Sequence, residues 1–138
     1  MRYPESASLL PLSPEGERET SFTGHAAVWD RVDRAGDVFR RGAFGAARVV
    51  PLLAGHRGVA VGEARVSEDA LGLLVEASAR VAVRVGDGLS VGYRVGAARQ
   101  GAWRELLAVD LVEVSLVKQP MQSAARVERV GESRLSDS

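Results

Sequence analysis

Cysteine is absent from the 138 residues. Disulfides, thiolate catalysis, zinc ribbons and iron–sulfur clusters are therefore excluded. Histidine occurs only at His25 and His56, too few for a histidine-rich metal site, and no cofactor is expected. Charge of one sign is also missing: 18 basic residues balance 18 acidic ones. A protein built to grip nucleic acid needs a basic surplus, so that role is not expected. Lys118 is the sole lysine, which reads as coding bias toward arginine and not as an arginine-rich motif. No apolar run reaches the roughly 18 residues of a membrane span. The start, Met1 to Ser6, lacks the apolar stretch of a secretory signal. Aromatic residues are few, which predicts an aliphatic core. An enzyme made from this chain must work with Ser, Thr, His and carboxylates.

What is present is ordinary globular composition, with 46% hydrophobic residues, 26% charged residues and 15 glycines for turns. The length fits one domain. Pro4, Pro11 and Pro14 make residues 1–18 a flexible arm. Residues 19–130 form the expected ordered domain, and the polar end, 131–138, a flexible tail. Within the domain the period is mostly two. Ser21–Trp29, Val38–Arg40, Val49–Leu53, Val59–Val66, Leu71–Ala77, Leu89–Val95 and Leu106–Val117 read as strands. Pro51 favours a strand end or an edge. Gly42–Arg48 predicts a helical turn or two, residues 79–85 are ambiguous between strand and helix, and Ser123 caps a short helix over Ala124–Val130. The fold class is mainly β with short helices, in a closed or nearly closed barrel.

Three residue types for nucleophilic chemistry stand out. Glu113 lies in the longest apolar run, on a face with Leu111, Ser115 and Val117; burying it unpaired costs several kcal/mol, about 2–7 even for neutral polar groups. Either that strand is an edge, or an arginine pairs with the carboxylate, or the residue has a function. His56 sits in a glycine-flanked turn, Gly55-His56-Arg57-Gly58. Ser90 alternates with Gly92 on one face of its strand, and the glycine lets another chain approach the hydroxyl. His25, in the first strand, reads as half-exposed. A serine hydroxyl needs a base, an imidazole can serve near neutral pH, and a carboxylate can orient the imidazole. His56, Ser90 and Glu113 supply one of each, though spacing alone does not bring them together.

At these residues the chain resembles the HK97-like prohead (capsid maturation) serine proteases of tailed phages. Gly24-His25-Ala26 to Asp33, Gly36-Asp37-Val38 and Arg41-Gly42-Ala43-Phe44 match the N-terminal pattern. Leu52-Leu53-Ala54-Gly55-His56 followed by Val61-Gly62 matches the leucine–histidine segment, and Gly72-Leu73 its next hairpin. Leu89-Ser90-Val91-Gly92-Tyr93 matches the serine block, and Leu111 to Val117 with Pro120 and Ala124 or Ala125 the final block. These blocks keep the family order over about residues 22–127.

The resemblance implies a barrel similar to the herpesvirus assembly proteases, with Ser90 as nucleophile, His56 as general base and Glu113 as third member. It implies a serine endopeptidase that cuts the major capsid protein or its scaffolding segment, and itself, inside assembling proheads in the bacterial cytoplasm. The source is then a phage, a prophage or a gene transfer particle, and the protease a homodimer or higher homo-oligomer. The alternative is a catalytically inactive barrel kept as a capsid scaffold or assembly factor, a reading motivated by a short segment between Val75 and Leu89. A third reading, a small binding barrel unrelated to proteases, predicts the three residues far apart.

Overall fold

The computed structural model describes residues 18–55 and 58–134. Eight strands follow one another: β1 (Arg18–Val28), β2 (Asp37–Phe39), β3 (Arg48–Ala54), β4 (Val59–Glu68), β5 (Gly72–Ala79), β6 (Gly88–Gln100), β7 (Arg104–Val117) and β8 (Val127–Arg134). They form a single sheet. Antiparallel pairing runs β3–β4–β5–β1–β8. β7 joins β3 in parallel through Leu52–Val114 to Ala54–Leu116, and β2 in parallel through Asp37–Arg104 to Phe39–Leu106. Its other edge is taken along its whole length by β6. β7 is thus a central strand, and the edge-strand account of Glu113 does not hold.

The sheet curls into a half-barrel whose edge strands touch at one end. Gly88 bridges Arg126, and the Leu89 N–H donates to the Ala125 carbonyl at 2.9 Å. The concave face buries Leu52, Val66, Leu73, Val75, Leu89, Leu106, Leu111 and Val114 almost completely, so the core is largely aliphatic as composition predicts. Four of the scarce aromatics gather at one place. Phe39 stacks on Phe44 at 5.0 Å and meets Tyr93 edge-on at 5.2 Å, with Trp29 6.0 Å from Phe44. Pro51 stands one residue before the β3–β7 ladder, a position that tolerates the missing N–H.

No helix forms among the described residues, which corrects the expected short helices. Gly42–Arg48 turns without helix because Gly42 and Gly45 take left-handed φ angles of 94° and 77°. Their loop is held by the Glu68 carboxylate, which accepts the N–H groups of Gly42, Phe44 and Gly45. Ala124–Val130 does not coil either; its second half is the start of β8. A bulge at Glu128 sets Val127 opposite Gly24 and Val130 opposite Phe22. Two inward valines spaced by three mimic a helical period. Residues 80–87 are loop and turn, and β8 pairs with β1 through Ser133 and Arg134, beyond position 130. Positions 1–17 of the expected arm and 135–138 of the expected tail lie outside the described residues.

Candidate active site

Ser90 stands in β6 directly opposite Ser115 of β7, and Ser115 stands beside Leu53 of β3. One row of side chains thus crosses three strands. Two residues along, Gly92 faces Glu113. Residues opposite one another share a face, so Ser90, Ser115 and Glu113 all project from the same side of the sheet. All three are half-buried.

The face is not the one the sequence pattern predicts for Glu113. The pairing jumps from Gly92–Glu113 to Tyr93–Leu111, which leaves Val112 as a bulged residue in β7. The bulge turns Leu111 into the core, at 2% exposure, and keeps Glu113 on the outer face with Ser115. Outer-face coverage is also partial, since Leu107 and Val112 are exposed.

The Glu113 carboxylate is held from two sides. Ser115 Oγ donates to Glu113 Oε1 at 2.6 Å, short as befits a charge-assisted bond. Oε2 lies over Gly92, where a Cβ would collide with it and would come within 2.6 Å of Cδ. The approach that Gly92 permits is therefore made by the Glu113 side chain. No arginine pairs with Glu113 among the ion pairs of the described residues.

His56 lies outside the described residues. The flanking chain is described on both sides. Ala54 ends β3 opposite Leu116, the Gly55 N–H reaches the Leu116 carbonyl at 3.4 Å, and Gly58 N–H donates to the Gly55 carbonyl at 3.2 Å. β3 thus ends one residue past the Ser90–Ser115–Leu53 row.

A cavity of about 110 Å³ opens against Ser90, with Phe39, Tyr93, Ala35, Met121 and Gln122 among its lining residues. Its walls are fixed by buried polar contacts. The Asp37 carboxylate, 4% exposed, accepts two N–H bonds from Arg104 at 2.8 and 3.0 Å and the Tyr93 hydroxyl at 3.1 Å. The hydrogen bonds from Arg104 outweigh burial and lower the Asp37 pKa. Burial and the Asp37 charge push the Tyr93 phenol up to about 12, so it remains a hydrogen-bond donor at neutral pH.

His25 is the residue the sequence misjudged most. It is buried, 5% exposed, and lies between two carboxylates: Nδ1 is 2.7 Å from Glu128 Oε2 and Nε2 is 2.8 Å from Asp69 Oδ2. The bulged position of Glu128 aims its side chain at the ring. The cluster has no serine among these contacts and ties β1, β8 and the β4–β5 turn together. Among the described residues no group of three His, Asp or Glu side chains is arranged to hold a metal ion.

The curled sheet thus brings a serine and an anchored carboxylate to one face, next to a cavity. The chain belongs to the caudovirus prohead serine protease family, whose model matches residues 9–137, nearly the whole chain. No curated protein matches it.

Proposed function

We propose that the protein is a serine endopeptidase of capsid maturation, with Ser90 as nucleophile, His56 as general base and Glu113 as the supporting acid. The observation that carries this reading is the shared face of Ser90 and Glu113 on adjacent strands, beside a cavity, in a chain of this family. In the sequence His56 follows two residues after the end of β3, whose Leu53 flanks Ser115 in the same row, and this supports its role as base.

The His56 imidazole takes the Ser90 proton while Oγ bonds to a substrate carbonyl carbon. The π pair of that carbonyl moves onto its oxygen. Collapse of this intermediate re-forms the carbonyl, breaks the C–N bond and passes the proton from the imidazolium to the leaving nitrogen. A water then repeats the sequence on the acyl-enzyme, and Ser90 regains its hydrogen. The mainly apolar cavity suits a compact apolar side chain of an extended peptide.

The substrates on this reading are the capsid protein or its scaffolding segment and the protease's own ends, cut inside the assembling prohead by a homodimer or larger oligomer. Confinement raises the effective concentration of substrate, so a modest site suffices. Co-expression of Ser90→Ala with the capsid protein tests it: processing should fall by orders of magnitude. Processing at the normal rate would remove Ser90 from the mechanism and favour the inactive-scaffold reading.

A further inference from the structure

The loop after β7 aims one backbone amide at the nucleophile. The Met121 N–H donates to Ser90 Oγ at 3.4 Å. That distance is long for an N–H···O bond, so the hydroxyl holds this amide weakly. The loop around it is held firmly. Gln122 is buried, accepts the Val28 N–H at 2.7 Å through Oε1, and donates from its side-chain nitrogen to the carbonyls of Val28 and Arg31, both at 3.1 Å. The Met121 carbonyl accepts the Arg34 N–H at 3.0 Å. Pro120 is buried and packs on Gly88, where a Cβ would meet its Cδ at 2.8 Å. A fixed loop thus carries a loosely engaged donor beside Ser90 and at the lip of the cavity.

We propose that the Met121 N–H is an oxyanion-hole donor for acyl transfer at Ser90. The assignment rests on the reading of Ser90 as nucleophile. When Oγ loses its proton to the base and bonds to the carbonyl carbon, the π pair becomes a charge on the carbonyl oxygen. That oxygen hangs on the carbon now attached to Oγ. An N–H that reaches Oγ reaches this oxygen by a small tilt, and the charge draws the contact toward about 2.7–3.1 Å. The donor exchanges no proton; it lowers the energy of the charged intermediate, and releases it when the carbonyl re-forms and the C–N bond breaks. Because the loop is already pinned, little reorganisation is needed at the moment of reaction.

A peptidyl diphenyl phosphonate distinguishes the possibilities. Ser90 Oγ bonds to phosphorus as a P–OPh bond breaks and phenol leaves, which puts a tetrahedral phosphoryl oxygen where the oxyanion forms. In ¹⁵N-labelled full-length protein, the Met121 amide proton should move downfield on labelling, more than any other amide of the loop 118–125. Labelling of Ser90 with no shift at Met121 would overturn the oxyanion assignment and leave the nucleophile standing. Absence of labelling at Ser90 would overturn both. A second arm is Met121→Pro, which removes the N–H. It should lower kcat by about 10²–10³-fold with KM nearly unchanged. An unchanged kcat in the folded variant would refute the proposal, and if the variant does not fold the amide shift decides.

Discussion

The Glu113 carboxylate occupies the space that a side chain on Gly92 would need. The obstacle is the far end of a flexible side chain, so it can move aside. Gly92→Ala should therefore fold, with stability within about 1 kcal/mol of the parent, and lose activity because the carboxylate is displaced. Gly72→Ala makes the contrast: its Cβ would run into the Ala27 carbonyl and lie 2.9 Å from Val28 Cα, both backbone. It should lose about 1–3 kcal/mol. Thermal melts paired with a peptidase assay check both. A Gly92→Ala enzyme of parental activity would detach Glu113 from the chemistry.

Ser115 is the donor that fixes Glu113. A hydrogen bond to a charged group is worth about 1.5–3 kcal/mol. Ser115→Ala should lower kcat about ten- to hundredfold, with KM little changed, and Ser115→Thr, which keeps the hydroxyl, should recover most of it. Steady-state kinetics on the three proteins provide the readout. An equal loss in Ala and Thr variants would point to packing as the cause.

Much of the sheet was legible because strands of one covered face alternate every second residue, as Leu89, Val91 and Tyr93 do. The misreadings share a physical origin in bulges and distant partners. Val127 and Val130 look helical because Glu128 is bulged between them. Glu113 seemed to share a face with Leu111 because the bulge at Val112 has no local signature. The Gly42–Arg48 loop owes its shape to Glu68, far along the chain. Of the site, the residue types and the family blocks were readable. The row that joins Ser90 to Ser115 depends on strand register, and the Met121 amide on a loop fold, neither of which a single sequence displays. His25 looked half-exposed because its two carboxylate partners come from other elements.

Stability should fall as pH rises through the range where His25 titrates. Burial works against the imidazolium, but the hydrogen bonds and charges of Glu128 and Asp69 outweigh it and raise the pKa above the ordinary 6.5. Only the imidazolium can donate from both ring nitrogens. A group whose pKa is higher when folded binds its proton more tightly in the native state. Its contribution is complete below the unfolded value and is lost as pH climbs through the folded one. For Asp69 burial raises the pKa, but hydrogen bonds from His25 and the Gly72 and Leu71 amides prevail and lower it. Its contribution is present above its unfolded value and is lost as pH falls through the folded one. The cluster is therefore at full strength between the unfolded Asp69 and unfolded His25 values, and it weakens beyond them toward the folded ones. Calorimetry from about pH 5 to pH 9 should show Tm declining across the upper part of that range, and His25→Phe should flatten the decline. A parental slope in that variant would assign it to other groups.

The cavity beside Ser90 should govern which peptides are cut. Ala35 lines it and is exposed, so a larger side chain there can grow over the opening without entering the core. Ala35→Trp should raise KM for peptides with an apolar residue at the cleaved bond. It should leave the melting temperature unchanged, since surface changes away from buried contacts fall within about 0.5 kcal/mol. A small fluorophosphonate, which needs Ser90 but no side-chain pocket, should label the variant at nearly the parental rate. The two probes together separate substrate recognition from the state of the nucleophile. If peptide KM is unmoved while the tryptophan covers the opening, the substrate side chain binds elsewhere, and the exposed outer face of β6 beyond Tyr93 becomes the surface to map.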